Sequence, residues 1–328
     1  MRILIIGGTR FTGPFVARQL IERGHDVSVF HRGQHEAADL PPEVHHLHGD
    51  RRDERNATAI VRDSRADVVI DMIAFTRADA RWLMRTFGGV ARRVVVPSSQ
   101  DVYRAYGRIH RTEPGPPDPT PLDENSPLRE QLSTHGESYE KRCVEVEAMS
   151  HPDLPATILR LPAIYGPGDH RLYEYTRPML DGRPAILLES GNAAWRWTHG
   201  YVENMAHAIV LATTDDRAAG RIYNVGEPGT PPRKSERLRH LATAAGWNGD
   251  VVVLPASDLP ERFAPLDWSQ DWVTDSTRIR ADLGYHEIVA YEDGLRRTVE
   301  WQRDHPNEKL APTPDQYAEE DVILARHR

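Results

Sequence analysis

The first half of the chain alternates short apolar runs with segments of helical period. The runs are "RILII" (2–6), "DVSVF" (26–30), "EVHHLH" (43–48), "DVVIDMIA" (67–74), "RRVVVP" (92–97) and "ATILRLP" (156–162). Most are apolar at nearly every position rather than at every second one, which predicts strands of a parallel sheet covered on both faces. Between the first two lies "GPFVARQLIERG", where Phe15, Val16, Leu20 and Ile21 share a helical face and Gly24 supplies a stop. Strand and helix alternating in this way predict an α/β fold, a doubly wound parallel sheet.

From Tyr165 onward the pattern loosens. Prolines, glycines and tryptophans become frequent, and strand signals are scattered: "AILL" (185–188), "THGYV" (198–202), "GRIYNVG" (220–226) and "DVVVLP" (250–255). The expected division is a sheet domain of residues 1–165 plus 200–226 and a smaller, irregular lobe of 166–199 plus 227–302. The charged, apolar-poor residues 303–328 are expected to form a peripheral tail.

Composition narrows the classes of function. A chain of 328 residues with 39 % hydrophobic positions can bury a proper core. The net charge of −8, with both signs interspersed, offers no basic stripe to track a phosphate backbone, so nucleic acid is not an expected partner. The single cysteine, Cys143, excludes an internal disulfide and a thiolate-rich zinc site and suits a reducing compartment. "MRILIIGG" enters directly into a strand, and no run approaches about 18 apolar residues, so the expected location is cytoplasmic, without signal peptide or membrane span.

Candidate chemistry begins at "ILIIGGTRFTGPFVARQL". Gly7, Gly8 and Gly13 stand between the first strand and first helix, where small residues let the backbone turn sharply and approach a pyrophosphate at the helix N-terminus. Arg10 occupies the middle of the motif. The second strand ends in His31 and Arg32, where an acidic residue often binds the adenosine ribose. Two guanidinium groups can clamp a 2′-phosphate that a carboxylate would repel, so NADP is favoured over NAD. Asp50 and Arg51, in "GDRRD", offer an adenine contact and cover.

"GGTRFTG", "SSQDVY", a lysine followed four residues later by a glutamate, and "LRLPAIYGPGD" occur in this order. With the later "WRWTHGYVENMAHAI" and "TDSTRIRADLGY", they resemble the extended short-chain dehydrogenase/reductases, in particular the NAD(P)-dependent epimerase/dehydratase branch and its atypical members. The resemblance implies a Rossmann domain with a substrate-binding lobe, and a homodimer through two long helices per subunit. Its implied cofactor contacts are Gly7, Thr9, Arg10, Phe11, Thr12, Gly13, Arg32, Asp50, Arg51, Ala74, Phe75, Lys141, Pro162 and Ile164. Its implied substrate contacts are Gln100, Asp101, Tyr165 and Arg196. Ser99 matches the family's catalytic hydroxyl. Gln100 and Asp101 match two positions that are acidic in sugar-nucleotide dehydratases, and only Asp101 keeps a carboxylate.

Standard members place tyrosine and lysine four apart on one helical face, so that the ammonium depresses the phenol pKa. In "ESYEKRCVE" the spacing is broken. Four residues after Tyr139 stands Cys143; four before Lys141 stands Glu137, and four after it Glu145. The second register keeps Lys141 as the lysine that orients the nicotinamide ribose. The proton then falls to Glu137, or to Tyr139 if the backbone before Lys141 is not yet helical, since two helical residues would put Tyr139 about 200° away. Hydride transfer to or from a hydroxyl or ketone of a sugar-nucleotide or similar polar metabolite is the expected activity. The competing expectation is a non-catalytic dinucleotide-binding regulator or RNA-associated protein.

Three further features have weaker readings. His46 and His48 share a strand face, yet no cysteine or paired carboxylate completes a metal shell, so no metal is expected. "WRWTHGY" places Arg196 between Trp195 and Trp197, suited either to a phosphate with ring stacking or to a packed strand edge. "DWSQDW" (267–272) either lines the same pocket or buries aromatics under the lobe.

Overall fold

The computed structural model describes residues 1–34, 39–263 and 265–327. The sheet domain begins β1 (Arg2–Ile6), α1 (Thr12–Glu22), β2 (Asp26–His31), β3 (His45–His48), α2 (Glu54–Asp63), β4 (Val68–Asp71), α3 (Arg77–Phe87) and β5 (Arg93–Ser99). After α4 (Arg104–Ile109) and a long excursion come α5 (Lys141–Met149), β6 (Ala156–Leu161) and β7 (Ala163–Tyr165). Then follow α6 (Tyr173–Leu180), β8 (Ala185–Glu189), α7 (Ser190–Ala194), β9 (His199–Tyr201), α8 (Val202–Thr214) and β10 (Ile222–Asn224). The chain ends with α9 (Lys234–Ala245), β11 (Asp250–Leu254), α10 (Thr277–Leu283), α11 (Tyr291–Asp304) and α12 (Pro314–Arg326).

Seven strands form one sheet in the order β10-β6-β5-β4-β1-β2-β3, all neighbours parallel. Alternate side chains of β1 explain why both faces are buried. Ile3 and Ile5 enter a core with Val16, Leu20, Met205 and Ile209 of α1 and α8. Leu4 and Ile6 enter another with Ala57, Leu83 and Val144 of α2, α3 and α5. This is the doubly wound, Rossmann-like sheet expected from the continuous apolar runs. Strand order reverses between β1 and β4, the switch point where such sheets open a crevice at their carboxyl ends.

Two small parallel pairs lie outside this sheet, β7 with β9 and β8 with β11. The expected peripheral tail needs correction. Thr313 caps α12 reciprocally with Gln316, and Ile323 and Leu324 are buried against Ala185, Leu187 and Leu254. Arg183 pairs with Asp321, and Arg262 with Glu319. Two apolar anchors and a few ion pairs suffice to seat a helix whose composition looked unpartnered. No helix among the described residues is long and apolar enough to cross a membrane.

Candidate functional site

The glycine-rich turn leads from β1 into α1. Gly7 and Gly8 both adopt left-handed φ values, 84° and 82°. A Cβ on Gly13 would stand 2.2 Å from the carbonyl oxygen of Gly8, so only glycine lets helix and turn approach this closely. Phe11, the residue before α1, has φ 51° and makes no side-chain capping bond. An uncapped helix start leaves its first N–H groups for an anion, the arrangement a pyrophosphate requires. The turn therefore fits a dinucleotide. Thr9 is half-buried, Thr12 is buried, and Arg10 and Arg32 are exposed.

Residues after β3 and β4 meet beside this turn. Arg51 does not stand free as a cover: it donates to Asp71 at 2.5 Å and to the Ile73 carbonyl at 3.2 Å, and its guanidinium lies 4.8 Å from the Trp82 ring. Asp71 is fully buried, which ties Arg51 to the sheet end. Asp50 is half-buried and accepts from the Arg52 N–H. Ala74 is buried, and Phe75 is exposed with its ring 4.9 Å from Lys141 Nζ.

The "ESYEKRCVE" stretch resolves in an unexpected way. Residues 136–138 form a single 3-10 turn; Tyr139 (φ −148°, ψ 94°) and Glu140 (φ −136°, ψ 84°) are extended; the helix starts only at Lys141. Two extended residues advance about 6.6 Å, close to the roughly 6 Å of four helical residues. Period-two alternation also turns Tyr139 and Lys141 to the same side. The short spacing is thus compensated by a change of backbone conformation. Lys141 Nζ lies 5.7 Å from the Tyr139 ring centroid, and both side chains contact the Phe75 ring. The Tyr139 phenol interacts with Ser99 and Asp101. Glu137 is exposed and is not among the cavity-lining residues.

A buried network holds this extended pair. The Glu140 N–H donates to the Phe75 carbonyl at 2.8 Å. Its carboxylate caps the helix at Arg142 N and accepts from Ser133 N and from both terminal nitrogens of fully buried Arg129. Arg129 also bonds the Asp101 carbonyl. Sequence reasoning missed Arg129 and Glu140, because their partners lie on a loop with no periodic signal.

Lys141 Nζ donates to the carbonyls of Ala74 (2.7 Å) and Pro97 (2.9 Å), using two of its three N–H groups. Burial pushes its pKa down to about 8, against the pull of Asp71 and Asp101. Burial raises the Tyr139 phenol well above its usual value, and the Asp101 charge raises it further. Asp101 is itself raised, mainly by burial, with Arg129 opposing. One helical turn beyond Lys141, Glu145 accepts from Ser98 Oγ at 2.6 Å and holds Arg160 of β6 at 2.8 Å.

These residues open into a cavity of about 1320 Å³. Ser99, Gln100, Asp101, Tyr139 and Pro162 line it. Trp195, Trp197, Trp268 and Trp272 line it too, with the Trp197 and Trp272 rings stacked at 5.2 Å and Trp272 5.2 Å from the Tyr106 ring. The "DWSQDW" aromatics thus line the pocket. Lys309, Leu310 and Glu320, from the segment expected to be peripheral, also reach it. Lys234, another residue the sequence reading overlooked, sits 4.4 Å from the Tyr175 ring with its pKa pushed down to about 8 by burial.

Two expected substrate contacts lie elsewhere. Strand-like alternation that turns Trp195 and Trp197 inward turns Arg196 away, and its guanidinium donates to the Pro231 carbonyl at 2.5 Å. Tyr165 is core, packed on Tyr201 at 5.7 Å, and does not line the cavity. Ile164 is half-buried and packs against the core cluster that includes Tyr165 and Tyr201.

Comparison with known proteins agrees with the fold. A 2′-dehydrokanamycin reductase of Streptomyces kanamyceticus is 31 % identical over 279 residues, 82 % of this chain and 73 % of the reductase. A 41 kDa chloroplast stem-loop binding protein of Arabidopsis thaliana is 25 % identical over 239 residues, 68 % of this chain and 58 % of that one. The UDP-glucose 4-epimerase of Thermus thermophilus, solved with NAD, shares the fold at a TM-score of 0.68 and 24 % identity, covering 92 % of this chain and 99 % of the epimerase. Residues 3–226 match the model of the NAD dependent epimerase/dehydratase family, and with the glycine-rich turn and the seven-stranded sheet in place, the chain belongs to that family.

Proposed function

We propose that the protein is an NADP(H)-dependent reductase of a ketone on a sugar ring, free or nucleotide-linked. The observation that carries this reading is Tyr139. Its extended backbone brings the phenol to Ser99, beside Lys141 at the cavity. A phenol so placed can give its proton to a substrate oxygen as a hydride arrives on carbon.

A dinucleotide held at the glycine-rich turn would supply the hydride for the carbonyl carbon. Ser99 Oγ hydrogen-bonds the carbonyl oxygen, and Tyr139 Oη gives that oxygen its proton as the C=O π bond becomes C–O–H. Lys141, with a third N–H beyond its two carbonyl bonds, holds the nicotinamide ribose. Its positive charge then stabilises the phenolate until solvent returns the proton. Gln100 and Asp101 face the substrate. Arg10 and Arg32 take the 2′-phosphate, which favours NADP over NAD. The reductase relative supports the direction of reaction.

The test is NADPH consumption with a panel of ketones, including a keto-aminoglycoside and a 4-keto nucleotide sugar. At least one substrate should be turned over, and Tyr139→Phe should lose roughly 10²–10⁴-fold in kcat, the range for a positioned proton donor, while keeping its NADPH affinity. Full activity of Tyr139→Phe would overturn the assignment. A homodimer remains part of the proposal. The flanking helices α3 and α5 have 11 and 9 residues, shorter than the long pair expected, and α5 exposes Val146 and Met149. Light scattering that gave a monomer mass would remove the dimer. A non-catalytic or RNA-associated role draws support from the stem-loop binding relative, and it predicts no turnover with any ketone.

A further inference from the structure

The register of β2 and β3 brings together three imidazoles that are far apart in sequence. His31 is opposite His48, and Val29 is opposite His46, so all three rings project from one face of the pair. One ring nitrogen from each lies within 4.8 Å of the other two. His31 Nε2 and His46 Nδ1 are 2.8 Å apart, and the His31 and His48 rings meet edge to face at 4.7 Å between centroids. Sequence alone offered only His46 and His48, two ligands of an incomplete set; the parallel pairing adds His31, which is buried.

We propose that His31, His46 and His48 form a site for a divalent transition-metal ion of the zinc type, with a fourth position open to water. The inference is independent of the reaction proposed above. Neutral imidazole suits such ions, and three histidines plus water is an established tetrahedral set. With metal–nitrogen bonds of about 2.0–2.1 Å, tetrahedral ligands stand roughly 3.3 Å apart. The 2.8 Å pair therefore opens by about half an ångström. His31 Nδ1 accepts from the Gly33 N–H at 3.2 Å, so the ring's one proton is on Nε2, toward His46; when the metal takes Nε2, that proton moves to Nδ1. Gly33 is exposed at φ 72°, in the turn after β2, and its N–H must turn away from a protonated Nδ1. The consequence is mechanical: the ion clamps β3, a four-residue edge strand with little buried surface, onto β2.

His45 is the internal control. It points to the opposite face, with Nε2 3.4 Å from Asp26 Oδ1. The test uses the untagged, chelator-treated full chain titrated with Co²⁺ and then Zn²⁺. One equivalent of Co²⁺ should give the intense visible bands of tetrahedral coordination, Zn²⁺ should bleach them, and Zn²⁺ should raise the melting temperature. His46→Ala and His48→Gln should each weaken Zn²⁺ binding at least tenfold, and His45→Ala should leave it unchanged. No saturable single equivalent in the unmutated protein, or equal weakening by His45→Ala, would overturn the proposal.

Discussion

Replacing Lys141 by methionine tests the burial of its charge without any substrate. The ammonium is fully buried on two carbonyls, and burial pushes its pKa from 10.5 down to about 8. Below pH 8 folded and unfolded chains both carry the proton, and the folded state bears the whole penalty of a desolvated charge. Between about pH 8 and 10.5 the unfolded chain still binds a proton that the folded chain has released, so stability rises with pH. A shift of that size corresponds to about 3 kcal/mol in full, most of it recovered between pH 7 and 10. Lys234 and the tyrosines titrate in both proteins and cancel in the difference. Urea unfolding at pH 7, 8, 9 and 10 should therefore show wild type gaining roughly 2–3 kcal/mol on Lys141→Met across the range. Parallel stability profiles for the two proteins would refute the claim that this lysine is buried as a charge.

Glu145→Ala should destabilise the fold by about 3–5 kcal/mol in the same urea assay, because it strands buried Arg160 without its carboxylate. Arg32→Glu should weaken NADPH binding and reverse the preference toward NADH, measured by nicotinamide fluorescence titration; an unchanged ratio would place the 2′-phosphate away from Arg32. Gly13→Ala should abolish dinucleotide binding, since the added methyl collides with Gly8 backbone rather than with a movable side chain.

Much of the sheet was legible because its signal is local. Unbroken apolar runs such as "RILII" and "RRVVVP" mark strands buried on both faces, and Gly7, Gly8 and Gly13 mark a turn that tolerates no Cβ. What could not be read depends on pairing or on a break in regularity. Tyr139 joined Lys141 only because Glu140, held by Arg129, delays the helix by two residues, and nothing in "ESYEKRCVE" announces that delay. His31 joined His46 and His48 only through inter-strand register. Arg196 looked suited to a ligand by composition, yet alternation turned it outward and gave the cavity to its tryptophan neighbours. The last helix had too few apolar residues to predict that it seats on β8 and β11.

The decisive measurement is a crystal structure of the protein with NADPH. It should show the pyrophosphate on the uncapped start of α1, the third N–H of Lys141 on the nicotinamide ribose, and the Tyr139 hydroxyl beside Ser99 facing the nicotinamide ring. A bound nicotinamide with Tyr139 turned out of the cavity, or with Glu137 in its place, would contradict the role given to Tyr139.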